Sequence, residues 1–210
     1  MLTKEQIRKY YQTAPLQLLP HSKFRQYKLF TGKRWIILKN KISTVEQLRE
    51  ELIKHAPHDA FQSVSLWLNP ASIEERNQSS ITQKLFLSST GFLDFDSVDG
   101  NVARAKQDMK ATYGFLKSRK YQELKIVFSG KKGYHLYFDL RKYDNEFSEP
   151  NQRMRYYQAL KKTLLRNLEH LNLTTLDVNT SADIWRVSRI IGSLHHSGGI
   201  CREANYLMNA

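Results

Sequence analysis

The sequence predicts a mixed α/β protein whose strands carry the chemically interesting residues and whose helices cover the sheet. Three observations predict it. Strand patterns run over Gly91 to Asp96, Leu124 to Phe128 and Tyr134 to Leu140. Apolar residues recur at helical spacing through Val102, Ala105, Met109, Thr112 and Leu116, and again through Met154, Tyr157, Leu160, Leu164, Leu168 and Leu171. Two capping signatures, Thr3-x-x-Gln6 and Ser43-x-x-Glu46, open shorter helices nearer the N-terminus.

Taken in order, the first cap starts a helix to about Gln12. Phe24 to Phe30 and Arg34 to Leu38 form a hairpin around Thr31-Gly32. The second cap opens a helix to about His55, and Phe61 to Leu68 alternates as one strand that Asn69-Pro70 ends. Lys84 to Leu87 reads as a further strand before Gly91 to Asp96. The strands Leu124 to Phe128 and Tyr134 to Leu140 are joined by the short loop Ser129 to Gly133. The long amphipathic helix begins near Pro150, where proline is tolerated in the first turn. Leu176 to Met208 mixes short strands and loops, and no repeat or linker marks a boundary.

Composition narrows the function classes. The 210 residues include 33 Lys and Arg against 20 Asp and Glu, a net charge of +13, which favours a polyanion as partner. Hydrophobic content of 40% with 11% aromatics excludes disorder. One cysteine, Cys201, excludes a disulfide framework and a Cys-rich zinc site and fits a reducing compartment. Apolar runs such as Trp35 to Leu38 fall far short of the roughly 20 residues of a membrane span. The expectation is a soluble, cytoplasmic, nucleoid-associated protein with no membrane partner. The charge is uneven: residues 1–42 carry ten basic and one acidic residue, 43–99 four and nine, and 100–210 nineteen and ten. An acidic middle between basic flanks suits a metal-dependent enzyme acting on phosphates.

Three groups of residues have the means for such chemistry. In Phe92-Leu93-Asp94-Phe95-Asp96, strand alternation sends Asp94 and Asp96 to one face and Leu93 and Phe95 to the other. Two carboxylates so close repel unless a cation or a proton lies between them, and Asp-x-Asp is a common Mg²⁺ or Mn²⁺ holder. The plainer alternative is a strand end with two solvated acids. In Ser129-Gly130-Lys131-Lys132-Gly133-Tyr134-His135, glycines, lysines, a hydroxyl and a histidine make the parts of a phosphate cradle, although not a Walker loop. A basic hairpin turn has the same composition. The third group is Asp177, with strand-like apolar neighbours, followed by Arg189 and His195 flanking Gly192. The adjacent pair His195-His196 is expected to point apart on an extended segment, which argues against metal ligation by that pair.

Together these motifs resemble the archaeo-eukaryotic primase superfamily, and among its members the catalytic small subunit of DNA primase. Leu93-Asp94-Phe95-Asp96 matches its apolar-D-apolar-D strand, Ser129 through His135 its second motif, and Asp177, Arg189, Ser193-Leu194-His195 and Gly198 its third. Phe24-Arg25-Gln26-Tyr27, Phe61-Gln62-Ser63-Val64 and Asn69-Pro70 resemble the N-terminal region of archaeal small subunits, so the likeness runs from about Phe24 to Gly199. The chain departs from the family in its single cysteine, which cannot build the usual zinc module, in the short gap from Asp96 to Ser129, and in Lys131 where arginine is frequent.

The resemblance implies an RRM-like antiparallel sheet carrying the aspartates, with an N-terminal αβ part beside it: one catalytic domain over 1–210, divided as 1–80 and 81–210. It implies that Asp94, Asp96 and Asp177 hold two divalent cations, Mg²⁺ or Mn²⁺, with no zinc. It implies nucleotide binding by Ser129, Gly130, Lys131, Lys132, His135, Arg189, Ser193 and His195. The implied activity is primase or primase-polymerase synthesis on a single-stranded DNA template from nucleoside triphosphates, with a large or accessory primase subunit as a further partner. The alternatives are a superfamily polymerase for repair, lesion bypass or end joining, and a non-catalytic nucleic-acid-binding primase subunit.

Overall fold

The computed structural model describes residues 2–73, 80–140 and 150–208. Helix α1 (Lys4–Thr13) is opened by the expected Thr3/Gln6 capping box. Strands β1 (Tyr27–Phe30) and β2 (Trp35–Ile37) form the expected hairpin, with Phe30 opposite Trp35. Helix α2 (Val45–His55) corrects the second cap by one residue. Thr44 is the cap, its hydroxyl accepting from the Gln47 N–H while the Gln47 side-chain Oε1 accepts from both the Thr44 and Ser43 N–H groups. Overlapping Ser-x-x-Glu and Thr-x-x-Gln signatures one residue apart cannot be ranked from sequence, because both satisfy the same pattern.

The single strand expected at Phe61 to Leu68 is two. Strand β3 (Asp59–Ser63) joins the first sheet and β4 (Ser65–Trp67) pairs with β5 (Phe86–Ser89), because the chain changes sheet at Val64. Alternation continues across such a change, so the pattern conceals it. The strand expected at Lys84 to Leu87 is likewise displaced: Lys84 and Leu85 end helix α3 (Ser80–Leu85), and pairing starts at Phe86.

Strand β6 (Gly91–Asp96), helix α4 (Val102–Ser118), strands β7 (Lys125–Phe128) and β8 (Gly133–Phe138), and helix α5 (Pro150–Leu168) follow as the periodicities predict. After them come α6 (Val178–Ala182), β9 (Val187–Arg189) and β10 (Arg202–Glu203). One antiparallel sheet has the order β2-β1-β3-β9 and the other β10-β7-β8-β6. Beyond β6, Leu176 bridges Phe95, so the β6-α4-β7-β8-α5 unit has the strand placement of an RRM-like sheet. The fold is the expected mixed α+β type with antiparallel sheets.

Each sheet has its own core. Leu93, Phe95, Ile126 and Leu136 pack under α4 and α5 with Met109 and Tyr157, while Leu29, Ala60 and Ile190 pack with Ile7, Tyr11, Leu48 and Leu52 of α1 and α2. Phe92, Val127 and Tyr137, on the other face of the second sheet, join Val64, Ile191 and Cys201 in a third cluster.

Arg25 ties these layers at the point where the chain changes sheet. Its Nη1 donates to the carbonyls of Ser63 (2.8 Å) and Val64 (3.1 Å), its Nη2 to the Thr90 hydroxyl, and its Nε to Pro20. The side chain is buried, which lowers its pKa to about 10. Arg25→Met strips donors from three carbonyls, each costing about 1–3 kcal/mol if left unpaired, so urea melts should show a loss of about 3 kcal/mol.

Candidate active site

Alternation along β6 does what the sequence predicts. Leu93 and Phe95 are buried in the core under α4, and Asp94 and Asp96 share the opposite face with Phe92. Asp94 pairs with His135 across β8, and Asp96 with Gly133. On the other edge of β6 the Asp177 N–H donates to the Asp94 carbonyl (2.8 Å) and the Asp96 N–H to the Thr175 carbonyl (2.8 Å), which brings the third aspartate alongside the first two. Asp177 also caps α6, accepting from the Thr180 N–H (2.9 Å) and hydroxyl (2.7 Å).

The Asp94 and Asp96 face opens into a cavity of about 150 Å³. Ser129, Lys131, Lys132, His135, Arg189 and His195 line it with the two aspartates, so the loop between β7 and β8 and the segment after β9 converge there. Gly130, Ser193 and Asp177 are not among the lining residues. Gly130 shapes the loop: its φ is 103°, and a Cβ on Gly199 would lie 1.6 Å from its carbonyl oxygen. Ser193 is fully buried and its hydroxyl donates to the Ile190 carbonyl (2.7 Å), so it shapes the turn and does not face the cavity. Arg186, Phe61, Val187 and Ser188 also line the cavity without having been singled out as site residues. The only signal for Arg186 was its place two residues before Ser188 in a basic segment.

Electrostatics explains the arrangement. Asp94 is pushed up to about 7, chiefly by burial; Arg186 pulls it down, while Asp96 and Asp177 add repulsion. Arg186 Nη2 lies 3.6 Å from Asp94 Oδ2, and Lys132 Nζ 3.1 Å from Asp96 Oδ2. His135 Nε2 lies 3.5 Å from Asp94 Oδ1, but burial and the nearby Arg189 and Arg186 lower its pKa to about 3, so at neutral pH this is not an ion pair. His195 is lowered to about 4, by burial first and then by Arg189 and His196. Its Nδ1 accepts from the Ser197 N–H (3.1 Å), a group that can only donate, so the neutral ring keeps its proton on Nε2.

Arg189 does not face the cavity freely. Its Nη1 is paired with the buried Asp59 and also donates to the Leu194 carbonyl, while the guanidinium lies 4.8 Å over the Phe61 ring. Burial would raise Asp59, but Arg189 and the His196 N–H outweigh it and hold the carboxyl below its usual value. The expectation that His195 and His196 point apart is corrected: their ring centroids are 4.3 Å apart. They sit on a turn closed by the bonds His195 N–H to Gly199 O and Gly198 N–H to His195 O, where the alternation of an extended chain does not apply.

Among the described residues, Asp59, His195 and His196 gather ligand atoms within 4.8 Å of one another, whereas the three aspartates do not close to that distance while Asp177 is turned to Thr180. Chemistry distinguishes the two groups. Asp59 is already neutralised by Arg189, and His195 Nδ1 is already bonded. The oxygens of Asp94, Asp96 and Asp177 repel one another in a half-buried cleft, and an all-carboxylate donor set fits a hard cation such as Mg²⁺ or Mn²⁺.

Two measurements check this geometry. A Cβ on Gly199 must displace the Gly130 backbone, so Gly199→Ala should lower stability in urea melts by about 1–3 kcal/mol. Asp94 has a folded value near 7 against 3.8 in the unfolded chain. The folded protein therefore holds an extra proton between those values, and the stability it confers is lost as pH rises through 7. Asp94→Asn should raise the Tm of the metal-free protein at pH 8, and the advantage should vanish in melts below pH 3.8.

No protein-family model matches the sequence, and no curated protein matches it. Solved structures do match the fold. The polymerase domain of Mycobacterium tuberculosis Ligase D, in complex with DNA, superposes with a TM-score of 0.59 at 16% identity, over 95% of this chain and 80% of that one. The chain has the fold of that polymerase domain.

Proposed function

We propose that the protein is a template-directed nucleotidyltransferase, a primase-polymerase that makes or extends short primers on single-stranded DNA. One observation carries the reading: Asp94 and Asp96 face a cavity whose remaining walls hold Lys131, Lys132, Arg186 and Arg189, and the backbone of Asp177 is bonded to Asp94 at the edge of the same strand. A nucleic-acid binder gains nothing from three acids facing a phosphate backbone. Acids facing a basic, phosphate-sized cavity suit phosphoryl transfer, in which charge must be neutralised on both sides of the reacting phosphorus. The fold shared with a polymerase domain supports the same reading.

In this reading a primer 3′-hydroxyl attacks the α-phosphate of a nucleoside triphosphate. A P–O bond forms, the hydroxyl proton passes to solvent, the α–β phosphoanhydride breaks, and pyrophosphate leaves. Asp94, Asp96 and Asp177 would hold a pair of divalent cations, whose chemistry would be to activate the attacking oxygen and offset charge on the leaving one. To serve as a ligand, Asp177 would have to exchange its bonds from the Thr180 N–H and hydroxyl for the cation. Lys131 and Lys132 neutralise the triphosphate, Ser129 and the neutral His195 donate hydrogen bonds to it, and His135 orients Asp94. Arg189, held by Asp59, keeps a fixed positive charge at the cavity wall.

Asp94→Asn and Asp177→Asn should each cut metal-dependent incorporation by about 10²–10⁴-fold, the loss expected when several kcal/mol of transition-state stabilisation goes. Incubating the protein with single-stranded template, labelled nucleotides and Mg²⁺ or Mn²⁺ measures this, and full activity in either variant rejects the mechanism.

The match to a ligase's polymerase domain favours a second reading, a polymerase that extends ends in repair. Unprimed template separates the two, since a dinucleotide product marks a primase and its absence a pure extender.

A further inference from the structure

Three tryptophans occur in the chain, and two behave as core residues. Trp67 is 1% exposed and stacks on Trp185 with ring centroids 4.9 Å apart. Trp35 is different. It is 55% exposed on β2, at the edge of the first sheet, where hydrophobic burial does not account for it.

The indole is nonetheless supported from behind. Phe30 lies opposite it on β1, with centroids 5.1 Å apart and planes at 40°, and Phe61 of β3 lies 5.5 Å away at 42°. Phe61 is paired in register with Arg189 of β9 and lines the cavity. One face of this sheet is therefore a continuous aromatic surface that begins at an exposed indole and ends at the wall of the candidate active site. The charge on the hairpin that carries it is of one sign. Lys33 and Arg34 are exposed in the turn before Trp35, and Lys39 and Lys41 are exposed just after β2.

We infer that Trp35, backed by Phe30 and Phe61, is the stacking platform for an unpaired base of single-stranded nucleic acid, with Lys33 and Arg34 on its backbone. The inference rests on the nucleic-acid part of the reading above, not on its chemistry. An aromatic face with two χ angles, already fixed by its neighbours, loses little entropy when a base covers it, and a cationic rim attracts the flanking phosphates. The place of the platform, one ring from the cavity wall, sets the stacked base on the path to the cavity. A second copy of this chain would have to bring its own basic hairpin against this one, so like charge argues against that occupant.

Binding of fluorophore-labelled oligo(dT) by anisotropy, with no nucleotide and no divalent cation, tests the proposal against several salt concentrations. Trp35→Ala should weaken binding by about 5- to 150-fold without changing the slope of log K against log salt, because stacking releases no counterions. Trp35→Phe should recover most of the loss. Lys33→Gln with Arg34→Gln should instead flatten the slope by about 0.7 per charge removed. Indole emission should be quenched by oligo(dT) in the wild type and scarcely at all in Trp35→Phe, whose remaining tryptophans stack on each other. Unchanged affinity in Trp35→Ala overturns the proposal, as does an equal loss on blunt duplex, which offers no unstacked base, or a change of oligomeric state in place of a change in affinity. Because no turnover is required, a wild type that binds through Trp35 but incorporates nothing refutes the enzyme reading and leaves the platform standing.

Discussion

A buried ion pair between Arg189 and Asp59 ties β9 to β3 within the first sheet, and the wall of the cavity depends on it. Both groups are nearly inaccessible, and a lone charge in either place would carry a desolvation penalty of several kcal/mol, so each requires the other. The pair holds β9 against β3, and β9 belongs to a segment that leaves the second sheet at Asp177 and returns to it at β10. Fixing Arg189 therefore fixes Arg186 before it and the turn of His195 and His196 after it. Gly130 and Gly199 then meet at a distance no Cβ permits, which locks the loop between β7 and β8 onto that turn. The cavity is what remains between these fixed parts.

Its charges are arranged to be incomplete. Lys132 reaches Asp96 and Arg186 reaches Asp94, yet Asp94 still holds a proton far more tightly than an ordinary carboxyl because burial and two neighbouring aspartates outweigh its basic partners. Both cavity histidines are neutral, so they can donate or accept without adding charge. Under the proposed function, a hard cation would neutralise the carboxylates and a polyanion would engage the freed lysines. The net charge of +13 then has distinct locations, partly at the cavity and partly on the hairpin that carries Trp35.

The likeness to the Ligase D polymerase domain spans nearly the whole chain at 16% identity. In this chain the fold rests on two antiparallel sheets, each with its own core, and a third cluster beside them. The proposed chemistry would rest on far fewer positions, on β6, on the loop after β7 and around β9.

Much of this was legible in the residues alone, and the reason is local. Strand alternation put Asp94 and Asp96 on one face, helical spacing marked the buried side of α4, and glycines with lysines marked the loop after β7, because each is a property of neighbouring residues. Capping went wrong by one residue at Ser43, and two strands were merged across Val64, where consecutive residues obey one pattern while belonging to different sheets. Tertiary structure alone decided the rest. Asp59 gave no sign of pairing with a residue 130 positions away, Ser193 looked available until Ile190 and Ala60 enclosed it, and Trp35 became meaningful only once Phe61 stood beside it. These depend on the register between strands distant in sequence, a property of how the sheets are assembled and of no segment by itself.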